Sequence, residues 1–366
     1  VRFVEEFRDP GLARDLAAAI RHGASRRWTV MEVCGGQTHA ILQHGLDELL
    51  APEVTLLHGP GCPVCVTPLE TLDRALALAA APDTILCTFG DMLRVPGSRG
   101  DLLGARARGA DVRVVYAPLD AARLAERTPG RAVVFLAVGF ETTAPAVAAA
   151  ARWARTRGLE NFFLLVSHVR VPPALEAIAG AEDSRVDAFL AAGHVCTVMG
   201  TAEYEPIARR HRIPIVVTGF EPLDILEGVS RAVRQLEAGR AEVEIGYRRA
   251  VRPAGNPAAR ALVDEVFEVA DRPWRGIGVL PAGGLVLRGP YRALDARRAF
   301  PERAPAPACE PAACRAGEVL RGAMRPPDCP SFGRACTPEH PLGAPMVSAE
   351  GACAAYWHFR SAEASP

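Results

Sequence analysis

Neither sign of charge is in excess in this chain: Lys plus Arg and Asp plus Glu both number 42, so the formal net charge is zero. A surface without a dominant field does not concentrate phosphate backbones or anionic lipid, and neither nucleic acid nor a membrane is an expected partner. Long apolar runs are missing too, because no segment approaches the ~20 uninterrupted apolar residues of a membrane span. The opening VRFVEEFRDPGLARDLAAAIRHG lacks the pattern of a secretory signal and reads as an amphipathic helix carrying acidic residues. There is no G-x-x-x-x-G-K-S/T phosphate loop, which argues against a nucleotide-driven enzyme. The expectation is a cytoplasmic chain of 366 residues, long enough for two or three domains with cores of their own.

Cysteine, by contrast, is plentiful. Ten are present, and in a cytoplasmic protein they are expected as metal ligands or redox thiols rather than structural disulfides. Cys34, Cys62, Cys65 and Cys87 lie early, Cys196 stands alone, and five crowd between 309 and 353. That distribution suggests two separate chemical sites.

From about residue 27 to 220, short apolar runs alternate with helical stretches. The runs are Val54–His58, Thr84–Cys87, Val112–Tyr116, Ala132–Val138, Phe162–Val166, Ala188–Ala191 and Ile213–Val217. Thr67–Ala80, Ala144–Thr156 and Pro173–Ala179 read as helices between them. This alternation predicts βαβ units and parallel sheets. Several runs break into polar loops, including HGPGCPVC, TFGDMLRVPGS, VGFETTAP, GHVCTVMG and TGFEPLD. In open parallel sheets, ligands bind at such carboxyl ends of strands. GFETT and GFEPLD form a faint internal echo, a hint of two similar domains facing a cleft. Beyond Gly228 a helix (Val229–Ala238) leads into Arg-, Pro- and Gly-rich sequence, with a strand expected in Glu242–Val251 and a helix in Pro257–Val269. The chain is therefore read as α/β, with two related parallel-sheet domains at 1–122 and 123–228. A smaller irregular domain, pinned by metal, follows at 229–366.

Cys314, Cys329, Cys336 and Cys353 form C-x14-C-x6-C-x16-C. Four thiolates suit a [4Fe-4S] cluster or a structural zinc ion, and unligated core cysteines are a third reading. Zinc sites usually contain close C-x2-4-C knuckles; none occurs here, and the wide loop-borne spacing fits a cluster better. Cys309 is a possible substitute ligand. Within GPGCPVC, Cys62-Pro-Val-Cys65 can close a disulfide across a tight turn, which favours redox use over half of a zinc site. If Cys65 begins the following helix, the helix N-terminus favours its thiolate. In MEVCGGQTHA, Cys34 precedes two glycines that let a backbone approach closely, and His39 lies five residues on as a ligand or acid/base. An isolated cysteine is usually buried as a small hydrophobe; the company of Cys62 and Cys65 tips this one toward function. Glu141, Thr142 and Thr143 stand at a strand end, where one of them at least is expected to cap the next helix. His168, Arg170, His194 and Asp91 stand at similar positions, each read alone as structural.

Taken together these segments resemble the HypD family. MEVCGGQTHA, GPGCPVC, GFETTAP and the block CRAGEVLRG…CPSFGRACTP…VSAEGACAAY stand in the family's order from residue 31 to 356, which is nearly the whole chain. The resemblance implies maturation of [NiFe]-hydrogenases on an iron–sulfur redox scaffold where the Fe(CN)2CO unit is assembled. By motif, Cys314, Cys329, Cys336 and Cys353 would bind a [4Fe-4S] cluster. Cys62 and Cys65 would form a thiol–disulfide couple, and Cys34 would hold the iron transiently. Glu141, Thr142 and Thr143 would orient the incoming tail of a HypE-like cyanide donor, and a HypC-like chaperone would share the iron. The cyanide would arrive as a thiocyanate group, made from carbamoyl phosphate by a HypF-like protein. Two positions depart from the family. Gln37 stands where many members have His; an amide is a poor iron ligand, so His39 becomes the imidazole candidate. Pro345 stands where many have Cys, and the four-cysteine spacing is complete without it. Two rival readings use the same residues: a zinc-stapled scaffold without redox work, and a stand-alone thiol–disulfide oxidoreductase.

Overall fold

The apolar runs form strands because they are buried on both faces, as parallel sheets require. Ala132–Gly139, for example, is buried along seven of its eight residues. In the computed structural model, which describes residues 5–304 and 310–360, the strands are β1 (Trp28–Glu32), β2 (Val54–His58), β3 (Thr84–Thr88), β4 (Val112–Val114), β5 (Ala132–Gly139) and β6 (Phe162–His168). They continue as β7 (Ala188–Ala192), β8 (Ile215–Thr218), β9 (Val243–Ile245), β10 (Phe267–Trp274) and β11 (Gly278–Leu287). Nine of them make two parallel sheets, of order β2-β1-β7-β8-β9 and β4-β3-β5-β6, and β10 and β11 make an antiparallel hairpin. The α/β class and the two parallel sheets are as the sequence implies. Cys309 lies outside the described residues.

The sheets are interleaved in sequence, unlike the expected division at 122 and 228. β3 and β4 precede residue 122 and β5 and β6 follow it, yet all four form one sheet. Residue 228 falls inside the helix Pro222–Glu237, which packs on the other sheet, and β9 beyond it is that sheet's edge. The chain starts one sheet with β1 and β2, builds the other whole, then returns to finish the first. In each sheet the first four strands follow one plan: the second strand lies outside the first, and the third and fourth lie on its other side. By that plan β5 matches β7, and β6 matches β8. GFETT after β5 and GFEPLD after β8 therefore occupy different places, and their likeness is not what relates the two sheets.

Helices cover the outer faces. Ala13, Ala17 and Ile20 of the helix Pro10–Gly23 pack with Ile225, Val229 and Val233 on Val30 and Val216. On the other sheet, Ala121, Val147 and Ala151 cover Val133 and Phe135. The inner faces share one core, in which Met31, Phe189 and Val217 of one sheet join Leu86, Val134 and Leu165 of the other. Cys34, Cys62 and Cys65 belong to that shared core. The C-terminal part is irregular, with short turns and helices pressed onto the rest through small residues. A Cβ at Gly317 would stand 2.5 Å from the carbonyl oxygen of Gly276, and one at Gly322 would stand 2.6 Å from Met31 Cε. Its last helix, Ala352–Arg360, packs on the helix Gly35–Gln43. Among the described residues no helix is long and apolar enough to cross a membrane.

Candidate functional site

Cys34 follows β1 and caps the helix Gly35–Gln43 with extended backbone, φ −150° and ψ 118°. Adjacent β1 and β7 run onward in opposite directions through the sheet order, so their carboxyl ends form a switch point of the kind where open sheets bind ligands. The residue after β7 that faces Cys34 there is His194, whose Nδ1 lies 3.6 Å from the Cys34 sulfur. Burial brings the His194 imidazole down to about 4, so it is neutral and carries a free lone pair. Burial also lifts the Cys34 thiol well above its ordinary value, as do the Glu32 and Glu350 carboxylates, against the N–H groups of Gln37 and Gly36. A buried neutral thiol beside a neutral imidazole is a ligand pair that trades its proton for a soft cation.

Glu32 anchors this turn from below. Its fully buried carboxylate accepts the Cys34 N–H at 2.7 Å and the Thr38 hydroxyl at 2.5 Å, and meets His58 Nδ1 at 2.8 Å. From the side comes the loop after β2. Gly35 N–H donates to the Gly61 carbonyl at 2.9 Å, and Gly59 N–H donates to the Glu32 carbonyl at 2.8 Å. A Cβ on Gly61 would lie 2.3 Å from Cys34 N and 2.6 Å from its Cα, so only glycine lets the two backbones meet.

That loop delivers Cys62 and Cys65. Both are buried and unbridged, and the Cys65 N–H donates to the Cys62 sulfur at 3.3 Å. The helix that follows begins at Leu69, so Cys65 does not sit at a helix N-terminus as the sequence suggested. Its thiol is raised, not lowered: burial is the main cause, reinforced by Cys62, Cys353 and Glu350. Cys65 therefore lies within electrostatic reach of Cys353.

Cys314, Cys329, Cys336 and Cys353 line one small cavity with Val319, Phe332, Leu342 and Met346. Burial raises the Cys353 thiol, and the neighbouring Cys336, Cys314 and Cys329 raise it further. Leu342 N–H donates to the Cys336 sulfur at 3.4 Å, and a Cβ on Gly343 would come within 2.5 Å of the Cys314 sulfur. Pro345 lines the same cavity. These four soft donors around an apolar-walled space fit an iron–sulfur cluster in chemistry. Among the described residues, no three His, Cys, Asp or Glu side chains are arranged to hold a single metal ion. The segment before Cys353 also reaches the first site, since a Cβ on Gly35 would lie 2.3 Å from Glu350 Cβ.

The model of the family described as "HypD: Hydrogenase formation hypA family" matches residues 11–360. The chain belongs to the HypD family. Among its curated relatives, the hydrogenase maturation factor HypD of Rhizobium leguminosarum bv. viciae is 47% identical over 369 residues, covering 98% of this chain and 96% of its own. The factor of the same name from Escherichia coli K12 is 46% identical over 371 residues, 99% of both chains. HypD1 of Bradyrhizobium diazoefficiens is 48% identical over 370 residues, 98% of this chain and 97% of its own.

Other residues singled out in this HypD-family sequence take different places. His39 is turned toward the C-terminal helix, its ring edge-on to Phe359 at 4.8 Å, and the imidazole at Cys34 is that of His194. Gln37 is wholly buried, its Nε2 donating to the carbonyls of Thr218 and Gly219, each at 3.3 Å, so it ties its helix to the end of β8. In GFETT the expected cap of the following helix is absent: Thr143 sits at its N-cap without a side-chain capping bond, its hydroxyl 3.1 Å from Nε2 of buried His168. Glu141 instead caps a different helix, accepting Val171 N–H at 2.9 Å. Arg170, just before, donates to the Ala282 carbonyl and pairs with Glu203. Thr142 is half-buried. Asp91 accepts from Ser348 Oγ at 3.4 Å, joining the β3 loop to the C-terminal segment. Cys87 and Cys196 are core residues, and burial pushes both thiols up to about 12.

Glu141 makes a pH prediction. Burial raises its carboxyl to about 7 from an ordinary 4.5, so between those values the folded protein keeps a proton that the unfolded chain loses. Stability therefore falls as pH rises through that window. Glu141→Gln, which keeps an acceptor for Val171, is expected to flatten this fall by on the order of 3 kcal/mol, read from urea midpoints at pH 5 and pH 8.

Proposed function

We propose that this chain is a hydrogenase maturation factor, working in the cytoplasm as a thiol-redox scaffold on which an iron ion receives its cyanide and carbon monoxide ligands. The observation that carries this reading is the meeting of three cysteine motifs: Gly61, beside the CPVC pair, stacks on Cys34, and Glu350, three residues before Cys353, stacks on Gly35. In this reading the iron is cargo, held by Cys34 beside His194. A HypC-like chaperone shares it, and a HypE-like donor brings cyanide as a thiocyanate.

Releasing cyanide from a thiocyanate takes two electrons. Cys62 and Cys65 supply them by closing a disulfide: the S–CN bond breaks, the donor sulfur takes one thiol proton, and cyanide leaves to iron as the second proton is released. A [4Fe-4S] cluster held by Cys314, Cys329, Cys336 and Cys353 would supply single electrons for reopening that disulfide. The burial of Cys34 keeps water from competing for the iron. Thr142, half-buried in the GFETT turn where Glu141 and Thr143 are held by other bonds, is the member of that motif best suited to meet an incoming donor tail.

The test is anaerobic purification with iron and sulfide counted and the visible spectrum recorded. About four of each per chain, lost in Cys336→Ser, is the expected result. A colourless protein with stoichiometric zinc would overturn the electron supply and leave a scaffold at Cys34.

A further inference from the structure

Cys34 is only 1% exposed, although an iron ion and its ligands must reach the sulfur under the function proposed above, on which this inference rests for its purpose. The neighbours of Cys34 differ in kind. Two are backbone. The Gly61 strand of chain lies against Cys34 N and Cα and is tied by the Gly35–Gly61 hydrogen bond, and the Glu350 backbone lies against Gly35. Moving either breaks main-chain contacts. Beside the sulfur itself stand side chains, His194 at 3.6 Å and Phe220 next to it. A point above Gly36, where a Cβ would stand, is 3.8 Å from the Cys34 sulfur and 3.3 Å from Phe220 Cδ1. The Phe220 ring also stacks on His194, with centroids 5.3 Å apart and planes at 39°.

Phe220 is half-buried, so it has solvent on one side and the thiol–imidazole pair on the other. Its outer neighbour is fixed. Tyr247 meets Phe220 edge-on at 5.9 Å, and its ring is gripped between Gly193 and Gly219, where added Cβ atoms would come within 2.7 and 2.8 Å of it. Arg249 lies 4.5 Å over Tyr247 and 4.0 Å over Phe7, and is itself held by Asp224 through bonds of 2.6 and 2.5 Å. Arg8 pairs with Glu221, next to Phe220. A rigid aromatic post thus stands beside one ring that can turn about its own side-chain bonds without breaking a hydrogen bond.

We propose that Phe220 is the gate of the Cys34 site: its ring seals the thiol and holds His194 toward it, and its rotation against Tyr247 admits the iron and its small ligands while excluding bulky molecules. Phe220 is a positioning residue in this role, since it supplies no atom to the reaction.

The experiment uses the full chain, reduced and anaerobic, with Cys34 alkylation mapped by mass spectrometry. Iodoacetamide is the small probe and a bulky aryl maleimide the large one, and Cys87, buried in a different core, reports on unfolding. Phe220→Ala is expected to raise maleimide labelling of Cys34 by about tenfold or more, with Cys87 unchanged, because reactivity follows the population of locally open states. Phe220→Leu, which refills the space, is expected to restore most of the protection and the preference for the small probe. Cys34 rates in Phe220→Ala that match the unsubstituted protein overturn the gate. If Cys87 labelling rises in parallel, Tyr247→Ala decides: opening of Cys34 alone supports the gate, and an unchanged Cys34 rate overturns it. Iron retention is measured on unlabelled aliquots of the same proteins. Gated access without iron at Cys34 removes the proposed function and keeps the gate, whereas iron at Cys34 with ungated access does the reverse.

Discussion

Under the proposed function, Gly61→Ala is expected to abolish iron retention at Cys34 while leaving any absorbance from the C-terminal four-cysteine site in place. The added Cβ would stand 2.3 Å from Cys34 N and 2.6 Å from both Cys34 C and Cα, where ordinary contact begins at 3.4 Å. All three are main-chain atoms, so no side chain can swing aside. The CPVC loop must retreat by about 1 Å, a cost in the range of 1–3 kcal/mol for overpacking. The Gly35–Gly61 hydrogen bond of 2.9 Å would go first, and with it the register between the Cys34 sulfur and His194. Misplacing a reacting group by that much costs about a hundredfold in rate. Iron bound per chain, counted beside the visible spectrum, checks the result; retention at the unsubstituted level would show that Cys34 does not depend on the stacked loop.

Under the same proposed function, Cys62→Ala is expected to cut cyanide transfer to iron by at least about a hundredfold, with the iron and sulfide counted at the C-terminal four-cysteine site unchanged. A dithiol gives up two electrons in one closure, whereas a cluster passes them singly. With Cys62 gone, the buried Cys65 has no thiol with which to close a disulfide, and the proposed two-electron step loses its store. Single-turnover transfer from a thiocyanate-bearing donor is the measurement. Undiminished transfer would mean that the Cys62–Cys65 pair has no part in the electron path, whatever the cluster does.

The strands were legible because parallel strands covered on both faces must be apolar throughout; Ala132–Val138 and Ala188–Ala191 read directly as β5 and β7. Sheet membership was not. Consecutive strands usually neighbour one another, so β2 and β3 were assigned to one unit, and nothing local marks the departure of the chain to a second sheet between them. The hairpin of β10 and β11 escaped because ADRPW and PAGG carry the Pro, Gly and charge that normally disqualify a strand. Gly284 sits there for another reason: a Cβ would lie 2.5 Å from the His168 carbonyl. GFEPLD was read as a loop, yet Pro222 occupies the first turn of a helix, with Glu221 at its N-cap.

At the site, the Cys34, CPVC and four-cysteine motifs were all visible as residue types. Their convergence was not, because it depends on two chain crossings. His39 was preferred by closeness in sequence, whereas His194 comes from a neighbouring strand end 160 residues away. Glu32 and Phe220 gave no signal, since a carboxylate at the end of a strand and a phenylalanine in a loop have many uses.

The interleaving of the two sheets also bears on how the protein is born. β1 and β2 leave the ribosome first but have no third strand until β7, after roughly 130 further residues, which takes on the order of ten seconds to translate. Throughout that interval Cys34, Cys62 and Cys65 are attached to an unfinished sheet without the partners that later bury them. Their thiols are then open to oxidants, stray metals and one another. A nascent chain of this architecture therefore needs its reducing surroundings most before it can do any chemistry, and a truncated N-terminal half should be recovered oxidised or aggregated rather than folded.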